Sequence, residues 1–413
     1  MAYKANNHPL RFALMLAAFS ALGPFTVDMY LASLPQIMNF FGTNASMIQA
    51  TLTASLLGLG LGQIVMGPLS DVHGRRKPLL IAMILYFLSS IGCAFAINIE
   101  FFIAERFIQG FAASAGLVIS RAIVRDMFSG VEMTKFISLL TMISNVAPLV
   151  SPTAGSTVSS FTSWVGVFIF LALLGVFLTG MSTWGVMETL PVQKRVPSNL
   201  MELLRNYKSL LRNRTFMGYA LVNGILFAGV FAYVSGTPFI YQNIYGMSPQ
   251  VFSVLFAMNG IGIILGSQLV KQLAGRMTER GVFLIGLSLA FISSATVLIV
   301  VFSHGPLFAL VISIFLFAAT IGIIGPVSFT LAMESQGHIA GSASAVLGTL
   351  PFVLGSVTSP LVGIAGENSA VPFGVIIFIT SLLSIISYVI LVKKSNTVTS
   401  SKLSEGPIDV IKQ

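Results

Sequence analysis

Residues 47–97 read MIQATLTASLLGLGLGQIVMGPLSDVHGRRKPLLIAMILYFLSSIGCAFAI, two long apolar runs separated by a short polar stretch. A helix needs about 20 consecutive apolar residues to cross the hydrocarbon core of a bilayer. Both runs, at 47–69 and 78–97, reach that length, and three successive cations lie between them at 75–77. The stretch therefore predicts two membrane helices joined by a short basic loop.

The same length rule, applied outward along all 413 residues, predicts an all-α polytopic membrane protein with twelve helices. The composition agrees, because 55% of the residues are hydrophobic, 8% are charged and the mean hydropathy is +0.92. Soluble domains carry about 25% charged residues, so a soluble multidomain enzyme is excluded. The predicted helices lie near 12–36, 47–69, 78–97, 101–122, 135–158, 163–187, 216–239, 249–271, 281–302, 306–332, 341–364 and 371–392.

Lysines and arginines fall in every second loop, and this alternation predicts the orientation of the bundle. The positive-inside rule places the basic loops and both termini in the cytoplasm. We therefore assign the net charge of +9 to topology and expect no nucleic-acid partner. The basic segments include Lys4 and Arg11, residues 75–77, Arg125 and Lys135, the loop 188–214, residues 271–280, and Lys393, Lys394, Lys402 and Lys412. The loops without Lys or Arg are 37–46, 98–100, 159–162, 240–248, 303–305 and 365–370.

The long polar loop near the middle of the chain divides it into two six-helix halves. We expect an N-terminal bundle at 1–187, a cytoplasmic loop at 188–214, a C-terminal bundle at 215–392 and a cytoplasmic tail at 393–413. Weak internal symmetry supports a duplication, as in many transporters. The matched pairs are Gly74-Arg75 with Gly275-Arg276 and Pro148 with Pro351, although Gly and Pro are common enough in membrane helices for such pairs to arise by chance.

Asp28 is the only carboxylate well inside the first predicted helix. A charge at membrane depth costs several kcal/mol, so such a group faces a cavity or a partner, or takes up a proton. We expect Asp28 to couple transport to protons or cations. The alternatives are a permanently paired structural carboxylate and one hydrated near the membrane surface.

Arg106 lies at a similar depth to Asp28 on helix 4 and is a possible partner for it. Gln109 is one helical turn away and shares the arginine's face. Glu105 is an alternative partner for Arg106, and Tyr30 completes the residues to which we assign proton coupling or substrate binding.

The first basic loop has an ordered spacing of glycine, acid and cations that a topology signal does not need. Gly67 and Gly74 permit close helix approach and a tight turn. Asp71 is suited to a reversible ion pair or a helix cap beside Arg75 and Arg76. We therefore predict a gating loop, with a purely topogenic cluster as the alternative.

These motifs resemble those of the major facilitator superfamily. The loop 67–78 is similar to its signature loop, and Arg106 to Gly116 to its helix 4 motif. Residues 147–155, which include Pro148, Pro152 and Gly155, resemble its helix 5 antiporter motif.

More narrowly, residues 28–35 and 231–249 resemble the Bcr/CflA group of drug–proton antiporters, although Ala32 and Ala154 depart from the usual patterns. The resemblance implies two six-helix bundles with a central cavity, in a monomeric multi-pass protein of the bacterial cytoplasmic membrane. It implies export of a hydrophobic drug, of the bicyclomycin or chloramphenicol class, in exchange for protons, with the proton gradient and no cofactor as the energy source. The alternative is a proton-coupled exporter of a metabolite such as an amino acid or sugar.

Aromatic residues are frequent at the start of the second half. Phe227 and Phe231 share a helix face, and with Tyr233 they are candidates for lining a drug cavity. Lipid-facing packing is the alternative for each of them.

Enzymatic chemistry has no visible support in the sequence. The four histidines are terminal or in loops, and Cys93 is the single cysteine, so no metal site or catalytic set is expected. We therefore predict a transporter and not an enzyme.

The loop charges give a direct test of topology. On a Cys93→Ala background, single cysteines at 37–46 and 240–248 should react with a membrane-impermeant thiol reagent added outside cells. Cysteines at 188–214 should react only after the membrane is opened. External labelling of 188–214 would contradict the predicted orientation.

Overall fold

The computed structural model describes residues 9–195, 200–334, 336 and 339–393, so Lys4 and the predicted tail beyond 393 lie outside the described residues. The described residues are helical and contain no β-strand. Twelve helices are long and apolar enough to cross a membrane, which confirms the predicted all-α architecture. In order, helices 1 to 12 are Phe12–Phe41, Ala45–His73, Arg76–Ala94, Ile99–Met127, Lys135–Phe161, Trp164–Gly185, Arg214–Ile244, Pro249–Leu273, Glu279–Phe302, Leu307–Met333, Gly341–Leu361 and Val371–Lys393.

The helices pack as two halves with matching internal contacts. In the first half, helix 2 packs on helix 4, helix 3 on helix 6 and helix 1 on helix 5. The same pairs, shifted by six, pack in the second half: helix 8 on helix 10, helix 9 on helix 12 and helix 7 on helix 11. Gly74 and Gly275, the pair matched by sequence, both have positive φ, of 86° and 80°. Glycine adopts this conformation without steric cost, which accounts for its presence at both turns.

Two helix pairs join the halves, and each pair consists of one helix from each half. Helix 2 packs on helix 11, and helix 5 packs on helix 8. Within the described residues, every hydrogen bond between the halves runs from a side chain to a main-chain carbonyl oxygen. These bonds are Ser46 to Pro360, Gln49 to Ser235, Thr53 to Ser356, Gln242 to Ala32, Ser253 to Pro152, Thr349 to Gly60 and Ser359 to Gln49.

The segment predicted as a central loop contains a short helix, Leu200–Arg212. It is only 13 residues long, with basic residues such as Arg205 and Lys208 among its leucines, so it is too short and polar to span a bilayer. It packs against helices 7 and 11. This helix is shorter than a membrane-spanning run, so the length of apolar runs in the sequence did not predict it.

Helices 2 and 4 approach each other closely through glycines. A methyl group at Gly58 would collide with the carbonyl oxygen of Phe107, and one at Gly110 with the carbonyl oxygen of Ser55. Small residues permit such contact between backbones in a membrane, where no hydrophobic force drives helices together. The packing of Arg106, which lies on this part of helix 4, depends on that approach.

Gly110→Ala should lower the free energy of unfolding by about 1–3 kcal/mol, because the added methyl overpacks the contact with helix 2. Gly341→Ala is the matched control, since no atom lies within 4 Å of the added methyl. Thermal unfolding of the detergent-solubilised protein measures both. Equal effects of the two substitutions would show that the contact between helices 2 and 4 is not tightly packed.

Candidate functional site

Helix 1 is interrupted in the middle of the membrane. Its first α-helical segment ends at Asp28, a 3-10 turn covers Leu31–Ser33, and the α-helix resumes at Leu34–Phe41. Pro35 explains the break, because proline has no N–H and its ring clashes with the carbonyl group four residues earlier. The break places Asp28 at the end of a helix segment.

Asp28 is buried, with 6% of its surface exposed. No hydrogen bond or ion pair of its carboxyl group occurs within the described residues. Across the interface, the buried phenol of Tyr233 in the second half lies near it. Asp28 is therefore an acid at the junction of the two halves, without a cation to hold it.

Arg106 is completely buried, and its guanidinium group holds the end of the first segment of helix 1. Nη2 donates to the carbonyl oxygen of Thr26 at 2.8 Å, and Nη1 donates to Oε1 of Gln109. The guanidinium carbon lies 4.1 Å from the ring centroid of Tyr30. The last carbonyl groups of a helix carry partial negative charge and lack partners, so this arginine satisfies one of them.

The structure thus brings together three of the four residues assigned to coupling. Tyr30, Arg106 and Gln109 are in contact, and Tyr30 Oη also lies 3.0 Å from Oγ1 of Thr51. It does not bring Arg106 to Asp28, because no carboxylate of the described residues lies within 4.0 Å of the Arg106 nitrogens. Glu105 does not pair with it either, since in a helix the two side chains point in different directions.

The second half contributes an aromatic and amide cluster opposite Asp28. Tyr233 stacks on Phe256, with ring centroids 5.1 Å apart and an angle of 18°. Asn259 donates from Nδ2 to the Tyr233 hydroxyl at 3.0 Å, while its own buried Oδ1 has no partner. The cluster offers an unoccupied hydrogen-bond acceptor beside a flat aromatic surface.

The other two candidate cavity residues face a different neighbour. Phe231 is 8% exposed and its ring lies 5.6 Å from that of Phe352 on helix 11. Phe227 is half-buried and lies 6.4 Å from Phe231. Of the three predicted aromatics, only Tyr233 has a described link to Asp28.

The two halves close together at the end of the bundle whose loops carry no Lys or Arg, which we call the non-basic end. Gln242 Nε2 donates to the Ala32 carbonyl at 3.1 Å, and Ser46 Oγ to that of Pro360 at 3.0 Å. Nearer the basic end, Thr349 Oγ1 donates to the Gly60 carbonyl at 3.2 Å, close to the middle of helices 11 and 2. The described hydrogen bonds between the halves therefore lie at the non-basic end and near the middle of the bundle.

The helix 5 motif connects the break in helix 1 to the second half. A methyl group at Gly155 would collide with the carbonyl oxygen of Met29, so helix 5 lies directly against the break. Three residues earlier, the Pro152 carbonyl accepts a hydrogen bond from Ser253 of helix 8 at 3.1 Å. Pro148 lies one turn farther along the same helix.

The predicted gating loop is built around Arg75, which is 3% exposed. Its guanidinium donates to both oxygens of Asp126, at 2.7 and 3.2 Å, and to Asp71 at 2.5 Å. Burial lowers the pKa of Arg75, but the hydrogen bonds to the two carboxylates outweigh it, so the pKa is raised above its ordinary value. The loop thus holds a permanently charged arginine between two acids.

Glu188, three residues beyond the end of helix 6, holds the backbone of the same loop. It accepts from the main-chain N–H groups of Arg75 and Arg76, at 2.8 and 3.4 Å, and pairs with Arg195 at 3.6 Å. A side chain at Gly74 would displace Glu188, whereas Gly67 lies in ordinary contact with its neighbours. The loop therefore ties helices 2, 3, 4 and 6 together at the basic end.

Three residues of the described contacts were not predicted from the sequence. They are Asn259, Glu188 and, as the partner of Arg75, Asp126. Asn259 could have been identified from the sequence, since an amide inside an apolar helix must find a hydrogen-bond partner. Glu188 had none, because it lies in a polar loop where charges are ordinary. Among the described residues, no group of three or more His, Cys, Asp or Glu is placed to hold a metal ion.

Comparison with known proteins identifies the family of the chain. A family model described as Major Facilitator Superfamily matches residues 14–360. An uncharacterized MFS-type transporter, YdgK, of Bacillus subtilis (strain 168) is 49% identical over 387 residues, covering 93% of this chain and 96% of that protein.

Two further relatives carry resistance names, in agreement with the Bcr/CflA resemblance. A bicyclomycin resistance protein homolog of Haemophilus influenzae is 28% identical, covering 93% of this chain and 96% of its own. A chloramphenicol resistance protein of Pseudomonas aeruginosa is 29% identical, covering 90% and 88%. The fold matches that of the xylose transporter XylE from E. coli with a TM-score of 0.73 and 14% identity, over 92% of this chain and 98% of that one.

Asp126→Asn should lower the free energy of unfolding by about 1.5–3 kcal/mol, because it removes the bidentate partner of a buried guanidinium. Asp71→Asn should cost less than about 1 kcal/mol, since Asp71 is 44% exposed. We expect Asp71→Asn to slow transport turnover while leaving expression and substrate binding near normal.

Thermal unfolding and transport rates test these expectations, with Glu132→Gln as a control in an exposed acid. Equal destabilisation by Asp71→Asn and Asp126→Asn would contradict the expectation that Asp126 stabilises the fold more than Asp71 does. Unchanged turnover in Asp71→Asn would leave the loop as a topology signal.

Proposed function

The chain belongs to the Major Facilitator Superfamily, and from that premise we propose that it exports hydrophobic drugs in exchange for protons. Its family and relatives are membrane transporters and not enzymes, and transporters of this kind need no cofactor. The names of the two resistance proteins support bicyclomycin-like or chloramphenicol-like antibiotics as the substrate class. We place the protein in the bacterial cytoplasmic membrane as a monomer, with its basic end in the cytoplasm.

The observation that carries this proposal is the environment of Asp28. The carboxyl group is buried at a helix break, between the halves, and has no cation within ion-pair distance among the described residues. A carboxyl group in such a place favours its neutral, protonated form, and it can ionise only where water or a cation reaches it. Its charge state therefore depends on which end of the bundle is open.

The closed non-basic end supports an order of events. In the proposed order, Asp28 is reached from the basic end while the non-basic end is closed, and there it releases its proton to the cytoplasm and the drug enters. After the halves exchange their contacts, the drug leaves at the non-basic end and Asp28 takes up a proton from outside. Conformation and proton affinity are linked because each state solvates Asp28 differently.

Other residues position this acid. Arg106 fixes the break in helix 1 through the Thr26 carbonyl, and Gly155 supports the residue that follows Asp28. Tyr233 and Asn259 supply a stacking surface and hydrogen-bonding groups for the drug. Helix 5 carries the relative movement of the halves to the break, because it contacts both Met29 and Ser253.

The test is uphill transport in proteoliposomes with an imposed pH step. Asp28→Asn mimics the protonated acid, so it should bind and exchange drug but abolish accumulation against the drug gradient. Asp28→Glu should retain part of the accumulation. Arg106→Ala should lose it, with a disturbed pH dependence, because the break is no longer held.

Glu105→Gln is the matched control, since it neutralises another acid of the first half that lies outside the site. Wild-type accumulation in the control together with its loss in Asp28→Asn supports the proposal. If Asp28→Asn still concentrates drug and moves protons, Asp28 is structural. Proton-coupled transport of amino acids or sugars, without drugs, would instead favour a metabolite exporter.

A further inference from the structure

The helix Leu200–Arg212, which we call the linker helix, joins the two halves along the chain and has the sequence LMELLRNYKSLLR. It is too short to span a bilayer, and the proposed transport reaction does not use it. Its apolar residues recur at helical spacing, so they collect on one broad side of the helix. Part of that side packs on the protein and part of it does not.

The packed part fixes the linker helix to the second half. Leu210 is completely buried, and Tyr207, three residues earlier on the same face, is half-buried. The helix packs against helices 7 and 11. The main chain of Asn213 is extended, with ψ 105°, between the linker helix and helix 7, which begins at Arg214. The linker helix therefore ends within two residues of a membrane span and does not continue it.

The other part of the apolar side is exposed. Met201, Leu204 and Leu211 follow one another along it, and 68%, 54% and 61% of their surfaces are exposed. We call these three residues the apolar stripe. A contiguous stripe of large apolar side chains is unfavourable in water and marks a surface that binds a partner or a membrane. The apolar stripe therefore fits an apolar environment outside the protein.

Cations accompany the apolar stripe. Lys208 lies within it, and Arg205 and Arg212, seven residues apart, lie along its edge; all three are exposed. No ion pair of these three cations occurs within the described residues. Glu202 is the single acid in the sequence of the helix, so cations outnumber acids there. The combination matches a surface that is apolar inside and negatively charged outside.

We propose that the linker helix docks on the bilayer surface at the basic end through anionic lipid headgroups. The apolar stripe enters the boundary between headgroups and acyl chains, while the three cations extend to the lipid phosphates. The location favours a membrane over a protein partner, because the helix ends beside a membrane span and an anionic bilayer offers both negative charge and apolar depth. Since the helix packs on helices 7 and 11, docking holds the second half to the bilayer surface.

The first test measures the depth of nitroxide labels in the full-length protein, in nanodiscs of mixed phosphatidylcholine and phosphatidylglycerol. The labels are attached to single cysteines, Leu204→Cys and Leu211→Cys, on the Cys93→Ala background. Power saturation should show both labels more accessible to oxygen, which concentrates in lipid, than to a water-soluble nickel chelate. Ser209→Cys is the matched control on the opposite, exposed face, and its label should show the reverse.

The second test removes charge without changing the apolar stripe. The mobility components of the spectrum from the label at 211 give the ratio of docked to undocked helix. In the triple variant Arg205→Gln, Lys208→Gln and Arg212→Gln, this ratio should fall about fivefold for each cation removed. Nanodiscs of phosphatidylcholine alone should lower it in the wild type. The double variant Lys271→Gln and Arg276→Gln removes two exposed cations from the same end, outside the helix, and should leave the ratio unchanged.

Equal access of the nickel chelate to the labels at 204, 209 and 211 would overturn the proposal, since it would indicate a helix in water. So would labels at 204 and 211 that are shielded from both oxygen and the chelate, because these would indicate contact with protein, such as a second copy of the chain. Unchanged docking in phosphatidylcholine alone or in the triple variant would contradict the role of anionic lipid. Every outcome is independent of drug export, because no transport is measured.

Discussion

A helix can be interrupted inside a bilayer only if its freed carbonyl groups find donors in the protein. In this chain the donor is Arg106, whose guanidinium reaches across from helix 4 to the Thr26 carbonyl. The close approach of helices 2 and 4 through Gly58 and Gly110 packs the helix that carries this arginine. The position of Asp28, and with it the proposed coupling reaction, depends on that contact together with the break at Pro35.

The two buried arginines show how the surroundings decide what a charge does. Arg75 lies at the basic end between Asp71 and Asp126, so that two carboxylates fully compensate its charge and join the helices there. Arg106 has no carboxylate within reach in the described residues and is balanced by carbonyl, amide and aromatic groups. The positive charge of Arg106 is therefore only partly compensated, and this favours a negatively charged group elsewhere in the first half.

Much of this organisation could be predicted from the sequence, because the length of apolar runs reflects bilayer thickness directly. The twelve helices follow from that rule, and Asp28 was identifiable because an acid at membrane depth is costly. Side-chain partners could not be predicted in the same way. Whether Arg106 faces Asp28 or Thr26 depends on the rotation of helix 4 and on a break in helix 1, and residue depth determines neither. Asp126 and Glu188 join Arg75 through contacts between segments 51 and 113 residues apart, which loop spacing cannot indicate.

The hydrogen bonds between the halves end on main-chain carbonyl oxygens, and this affects the free energy needed to separate the halves. A carbonyl oxygen has two lone pairs, so an acceptor that also has a helical hydrogen bond keeps that bond when the partner side chain leaves. The Ser356 carbonyl is an exception, since Pro360, four residues later, has no N–H. One donor also has a second acceptor within its own helix: Ser253 already bonds to the Pro249 carbonyl, as serines in helices commonly do. Separating the halves thus leaves few polar groups without a hydrogen-bond partner in the membrane, and each lost bond costs only about 0.6 kcal/mol. A low cost per bond favours two alternating arrangements of similar free energy, between which the binding of one proton or one small ligand can decide.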